Sequence, residues 1–93
     1  MSKLSPARKL GLDVLMEADR RGMYARDVLS SRASAKAIDQ RDSAFAARLA
    51  LSVAATQGIL DELLDQFLDK PKKVAPRVRM ALRISVFEML YLH

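Results

Sequence analysis

Apolar positions recur at helical spacing along nearly the whole chain. Ser5 and Pro6 are followed by Ala7, Leu10, Val14, Leu15 and Ala18, which fall on one helix face. Serine is a favoured N-cap, and proline fits the first helical position, where its missing N–H is not needed. Arg20 and Arg21 then precede Gly22, placing cations in the last turn and a glycine at the stop. The pattern predicts a first helix over 5–21. Tyr24, Val28 and Leu29 share a face and predict a short second helix over 24–31, followed by a connector from Arg32 to Ile38. Asp39 and Asp42 give a capping pattern ahead of Phe45, Leu49, Val53, Thr56, Leu60, Leu63 or Leu64, and Phe67. That recurrence predicts a third helix over 40–69, roughly 40 Å long at about 1.5 Å per residue. Gly58 predicts a bend or break inside it. Lys70-Pro71 ends it, because a residue before proline is pushed out of the α region.

Pro76 opens a final helix over 76–92. Between Met80 and Leu92 only Arg83, Ser85 and Glu88 are polar. A helix apolar around most of its circumference is a buried one. The first and third helices offer one apolar stripe each, so they wrap only part of it. The remaining flank is expected to be covered by a second copy, giving a homodimer through the final helix. No stretch alternates with period two, so the fold class is all-α: a single-domain helical bundle of about four helices.

Composition narrows the class. The chain has 93 residues, 51% hydrophobic and 29% charged, with three Gly and three Pro. That is a globular composition, not a disordered one. No cysteine is present, which excludes disulfides, thiolate metal sites and a cysteine nucleophile. Arg83 and Glu88 interrupt the longest apolar run, which argues against a membrane span. The first residues lack a continuous apolar signal core, so a cytoplasmic location is expected.

The net charge of +5 is unevenly placed. Residues 1–36 carry eight Lys/Arg against four Asp/Glu, residues 37–69 two against six, and residues 70–93 six against one. Two basic ends therefore flank an acidic middle, a distribution suited to a polyanionic partner. Lys3, Arg8 and Lys9 cluster at the start of the first helix, where cations oppose the helix dipole and a phosphate would offset them. Lys70, Lys72, Lys73 and Arg77 surround the start of the last helix, and Arg79 and Arg83 follow four apart on one face. Together the two clusters point to contact with a nucleic-acid backbone, against the alternative of a solvated surface. The aromatic residues fall mostly on apolar faces, so sequence-specific base readout is not expected.

Catalytic chemistry is not indicated. The lone His93 is terminal, and no set of His, Asp and Glu has metal-ligand spacing. Asp61, Asp65 and Asp69 line one side of a helix and are expected to be a solvated acidic face. Gly11, Gly22 and Gly58 are isolated, with no phosphate-binding loop.

Several stretches together resemble a known family. APRVRMALR at 75–83, running into ISVFEMLYL, resembles the fourth helix of NusB-like domains. RDSAFA at 41–46 and QGILDELLDQFL at 57–68 resemble their long third helix, and SPARKLGLDVL at 5–15 with the Gly22–Ala25 turn their first helix and turn. The likeness is closer to the N-terminal domain of RsmB (Sun)-type ribosomal RNA 5-methylcytosine methyltransferases than to the free antitermination factor. The third helix departs from that pattern: Leu51-Ser52 stands at a Tyr-Gly pair, Ala55-Thr56 at two arginines, and Arg48 at an acidic position. Arg8, Lys9, Arg79 and Arg83 match the basic pattern.

The resemblance implies an all-α RNA-binding domain that docks ribosomal RNA phosphates through Lys3, Arg8, Lys9, Lys72, Lys73, Arg77, Arg79 and Arg83. Arg79 and Arg83 have a structural alternative, pairing with acidic residues of the third helix. In the methyltransferases, S-adenosylmethionine and a catalytic cysteine belong to a separate domain, so this chain alone is expected to be no enzyme and to bind no cofactor. NusB-like domains continue through further helices, so the chain is expected to be a shortened form of one. The competing expectation is an antitermination-type module that binds a protein partner. A DNA-binding helix-turn-helix is disfavoured, because no tight helix pair precedes a basic recognition helix.

Overall fold

A computed structural model describes residues 5–33 and 40–92. Helix α1 spans Pro6–Arg21, α2 Ala25–Ala33, α3 Gln40–Phe67 and α4 Pro76–Tyr91, with a 3-10 turn at Pro71–Lys73. The all-α architecture is as the periodicity predicts, and no strand occurs among the described residues. Lys3, His93 and the connector residues 34–39 lie outside them.

Local signals set the helix ends. The Ser5 hydroxyl accepts from the Arg8 backbone N–H at 3.2 Å, and Pro6 is the first helical residue. At the other end Gly22 takes a left-handed conformation (φ 63°), and Met23 N–H donates to the Ala18 carbonyl at 3.0 Å. A β-carbon at that φ would be strained, so glycine is the residue the stop requires. Helix α2 continues two residues beyond the predicted end at 31, into what the sequence reads as connector. Helix α3 ends at Phe67, two residues short of the prediction, where the chain turns toward Pro71. It runs through Gly58 without a break. Val53 and Leu60 are fully buried on either side of Gly58 and hold both halves in register, so tertiary packing overrides its low propensity.

The core lies where α1, α3 and α4 meet, with α2 closing one side. Leu12, Val14, Leu15, Val28, Leu49, Val53, Leu60, Met80, Ile84 and Phe87 form one buried cluster. Helices α1 and α3 come close at Gly11, whose hydrogen faces Leu49; a β-carbon there would lie 3.4 Å from the leucine Cδ2. Pairing of Arg8 with Glu88 and of Asp13 with Arg77 runs α4 antiparallel to α1.

Two features of the apolar pattern bear on the fold. First, helix α4 is wrapped on only part of its circumference, as expected from two neighbours with one apolar stripe each: Met80, Ile84 and Phe87 are buried, while Val78, Met89, Leu90, Tyr91 and Leu92 are exposed. Two packed neighbours cover one side of a helix, whatever its composition. Second, Arg41–Phe67 is long and apolar enough to cross a membrane by length and composition. Its many alanines and lack of charge between Arg48 and Asp61 produce that; in the fold they let α1, α2 and α4 all pack against one central helix.

Candidate nucleic-acid interface

The cations named by the sequence divide into two groups. Arginines on α1 and α4 are engaged across helix boundaries. Arg83 forks onto Asp61 of α3, with Nε 2.7 Å from Oδ1 and Nη2 2.8 Å from Oδ2. Arg79 donates to Asp61 at 3.2 Å and to Asp65 at 3.0 Å. Their side chains are only 11% and 17% exposed. Hydrogen bonding by Arg83, ahead of its charge and of Arg79, holds the Asp61 carboxyl below the usual carboxylate range. Two members of the acidic row are thus counter-ions of the last helix, Asp61 half-buried against Arg83 and Asp65 still exposed to solvent. Asp69 and Glu62 remain exposed.

Arg8 behaves likewise. Its Nε donates to both Glu88 oxygens, at 2.8 and 3.1 Å, its Nη1 reaches Ser5 Oγ at 3.2 Å, and the guanidinium lies 5.4 Å from the Phe45 ring centre. The Glu88 hydrogen bond raises the Arg8 pKa. The cation that opposes the α1 dipole is therefore answered by a carboxylate from α4. Arg77 makes a looser contact with Asp13 at 3.3 Å and stays half exposed. A further clamp, absent from the sequence reading, joins α2 to α1: Arg32 and Arg21 both bind Glu17, at 3.0 Å and 2.8 Å, and hold its carboxyl low, Arg32 most strongly.

The lysines form the second group. Lys9, Lys72 and Lys73 are exposed, and among the described residues no carboxylate lies within ion-pair distance of them. The two lysine sites do not converge. Lys9 lies at the end of the bundle where α1 begins and α4 finishes; Lys72 and Lys73 lie at the opposite end, in the turn before α4. The two ends are separated by about the length of α4, roughly 24 Å. Arg20, Arg26 and Arg48 are also exposed, and the sequence reading did not single them out as contacts.

Among the described residues no group of His, Asp and Glu is placed to hold a metal ion. The fold and its charges define a small all-helical domain with internally paired arginines and lysines presented at both ends.

The chain belongs to the NusB family, whose sequence model matches residues 5–93. It is 40% identical over 98% of its length to the transcription antitermination protein NusB of Cutibacterium acnes, covering 35% of that protein. It is 34% identical to the protein of the same name from Arthrobacter sp., covering 67% of it. It is also 27% identical to the probable ribosomal RNA small subunit methyltransferase B of Bacillus subtilis, covering 20% of it. The chain thus spans about a third and a fifth of the lengths of the Cutibacterium and Bacillus relatives. No solved structure matches.

Proposed function

We propose that this chain is an RNA-binding domain that acts in a transcription antitermination assembly, holding RNA phosphates through Lys9, Lys72 and Lys73. One observation carries the reading: these lysines are solvent-facing and have no carboxylate beside them among the described residues. Unneutralised cations release condensed counterions when they meet a phosphate backbone; internally paired arginines have already lost much of that capacity. The identities of 40% and 34% to antitermination proteins favour that assembly. A second reading, the RNA-docking domain of a ribosomal RNA cytosine methyltransferase, is favoured by the RDSAFA and QGILDELLDQFL stretches and by the Bacillus relative. Disruption of the gene separates them. Loss of read-through at ribosomal RNA terminators, with 5-methylcytosine in the RNA unchanged, is expected. Loss of the methyl mark with read-through intact would establish the second reading instead.

The outer face of α4 supports self-association. Val78, Leu82, Ser85, Met89 and Leu92 recur at alternating spacings of four and three, the pattern of a helix–helix seam. Ser85, small and exposed, sits at the midpoint, so an antiparallel copy would set Val78 against Leu92 and Leu82 against Met89. It would also bring the basic start of α4 to the partner's α4 C-terminus, which has no cation in its last turn. Sedimentation at tens of micromolar is expected to give a dimer; a monomer contradicts this.

A further inference from the structure

Tyr24 and Phe67 are the two aromatic residues left 81% exposed among the described residues, and Tyr24 is the one that borders grooves. It precedes α2, where its carbonyl accepts from the Asp27 and Val28 backbone N–H groups, and its side chain faces outward, leaving the residue 81% exposed. The core beneath it is closed by Ala25 and Val28, both buried. Two grooves meet at Tyr24. One, of about 280 Å³, is lined by Arg26, Asp27, Leu51 and Ala54 beside Tyr24. The other, of about 260 Å³, lies between Tyr24 and Met80 and carries Asp19 and Gln57. Both are at or below the small end of ligand pockets, a size for one planar ring system rather than a folded partner.

This is the equipment for holding an unstacked base: an exposed aromatic face beside grooves whose lining mixes apolar side chains with donors and acceptors. Arg26 and the Gln57 amide can donate; Asp19, Asp27 and the Gln57 carbonyl can accept. Met80, near the start of α4, lines the second groove, which places that groove toward the end of the bundle that carries the Lys72–Lys73 turn.

We propose that Tyr24 is a stacking platform for a base of single-stranded RNA, with Arg26 and Gln57 at the base edges. The proposal rests on the RNA-binding reading above and adds a site to it. Stacking on an aromatic is tolerant of base identity, so the site adds affinity for single strands over duplexes.

The chain offers a direct reporter, since it has no tryptophan and only two tyrosines, Tyr24 and Tyr91. Tyr91→Phe keeps the ring that packs on Phe87 and leaves Tyr24 as the sole tyrosine emitter. Titration of that variant with a single-stranded oligoribonucleotide is expected to quench the emission along the binding curve, with binding followed separately by anisotropy of a labelled strand. Tyr24→Ala is expected to weaken binding about tenfold with the salt slope unchanged, and Tyr24→Phe to retain affinity. An abasic strand of the same length should bind the unaltered chain as weakly as the intact strand binds Tyr24→Ala. Binding without quenching, or full affinity in Tyr24→Ala, overturns the stacking site while leaving RNA binding in place. So does loss of a protein partner in Tyr24→Ala with RNA affinity unchanged. No binding by any variant at low salt removes both readings.

Discussion

Arg83 and Lys73 carry the same charge ten residues apart, and the fold uses them in opposite ways. Arg83 is 11% exposed and forks onto both oxygens of Asp61; Lys73 is exposed, with no carboxylate near it among the described residues. The division extends to Arg8 and Arg79 on one side and to Lys9 and Lys72 on the other. A planar guanidinium presents donors in a rigid fork that matches a carboxylate, and it is less strongly hydrated than an ammonium. Arginine therefore suits the half-buried seam between helices, and lysine the water-facing turn. Net charge counts both kinds alike. For a polyanionic partner the cations that matter are those the fold has left unneutralised.

The largest expected difference between the groups is in stability. Arg83→Ala removes the fork onto Asp61 at the α3–α4 seam, leaving it Arg79 alone at 3.2 Å, and is expected to cost about 1 kcal/mol in denaturant unfolding. Arg83→Lys should recover only part of this, because an ammonium cannot reproduce the fork. Alanine at Lys9, Lys72 or Lys73 should stay within about 0.5 kcal/mol. Equal losses in the two groups would erase the distinction.

Acid gives a smaller effect through the same ion pairs. Asp61 and Glu17 have folded-state pKa values below their unfolded ones. The unfolded chain therefore binds more protons between the two values, and stability rises with pH across that window. The contribution is complete above the ordinary carboxylate range, near pH 4, and is lost as pH falls through the lowered values. Thermal unfolding is expected to show the midpoint falling on acidification below about pH 4, with a shallower fall in Asp61→Asn, whose midpoint at neutral pH is already lower. An Asp61→Asn profile parallel to that of the unaltered chain would count against the seam.

What the sequence reveals depends on how local the cause is. Ser5-Pro6 and Gly22 place the ends of α1 because capping involves a few neighbouring residues. The long α3 is visible because its apolar positions repeat over many turns. Both halves of the α3–α4 seam are visible as well, Asp61 and Asp65 in one row and Arg79 and Arg83 in another. Their meeting depends on the turn at Pro71–Lys73, which no periodicity describes. Enclosure of α4 is a property of how many neighbours surround it, so its partial covering is legible only when its apolar circumference is set against the single apolar stripes of α1 and α3. Tyr24 misleads for a similar reason: it shares helical spacing with Val28 and Leu29, yet it stands just outside α2, where that spacing does not govern where a side chain points. Arg26 carries no sequence signal beyond its charge, and Arg48 only its departure from an acidic family position; their exposure sets both apart.

The salt dependence of RNA binding tests the central claim most directly. The logarithm of affinity against the logarithm of salt concentration is to be compared for the unaltered chain, Lys9→Ala/Lys72→Ala/Lys73→Ala, and Arg83→Lys. At about 0.7 per phosphate contact on a single strand, the triple lysine variant is expected to lose about 2 from the slope. Arg83→Lys, assayed where it remains folded, is expected to keep the full slope despite its lower stability. An unchanged slope in the lysine variant, or a slope that falls in Arg83→Lys, would contradict the account.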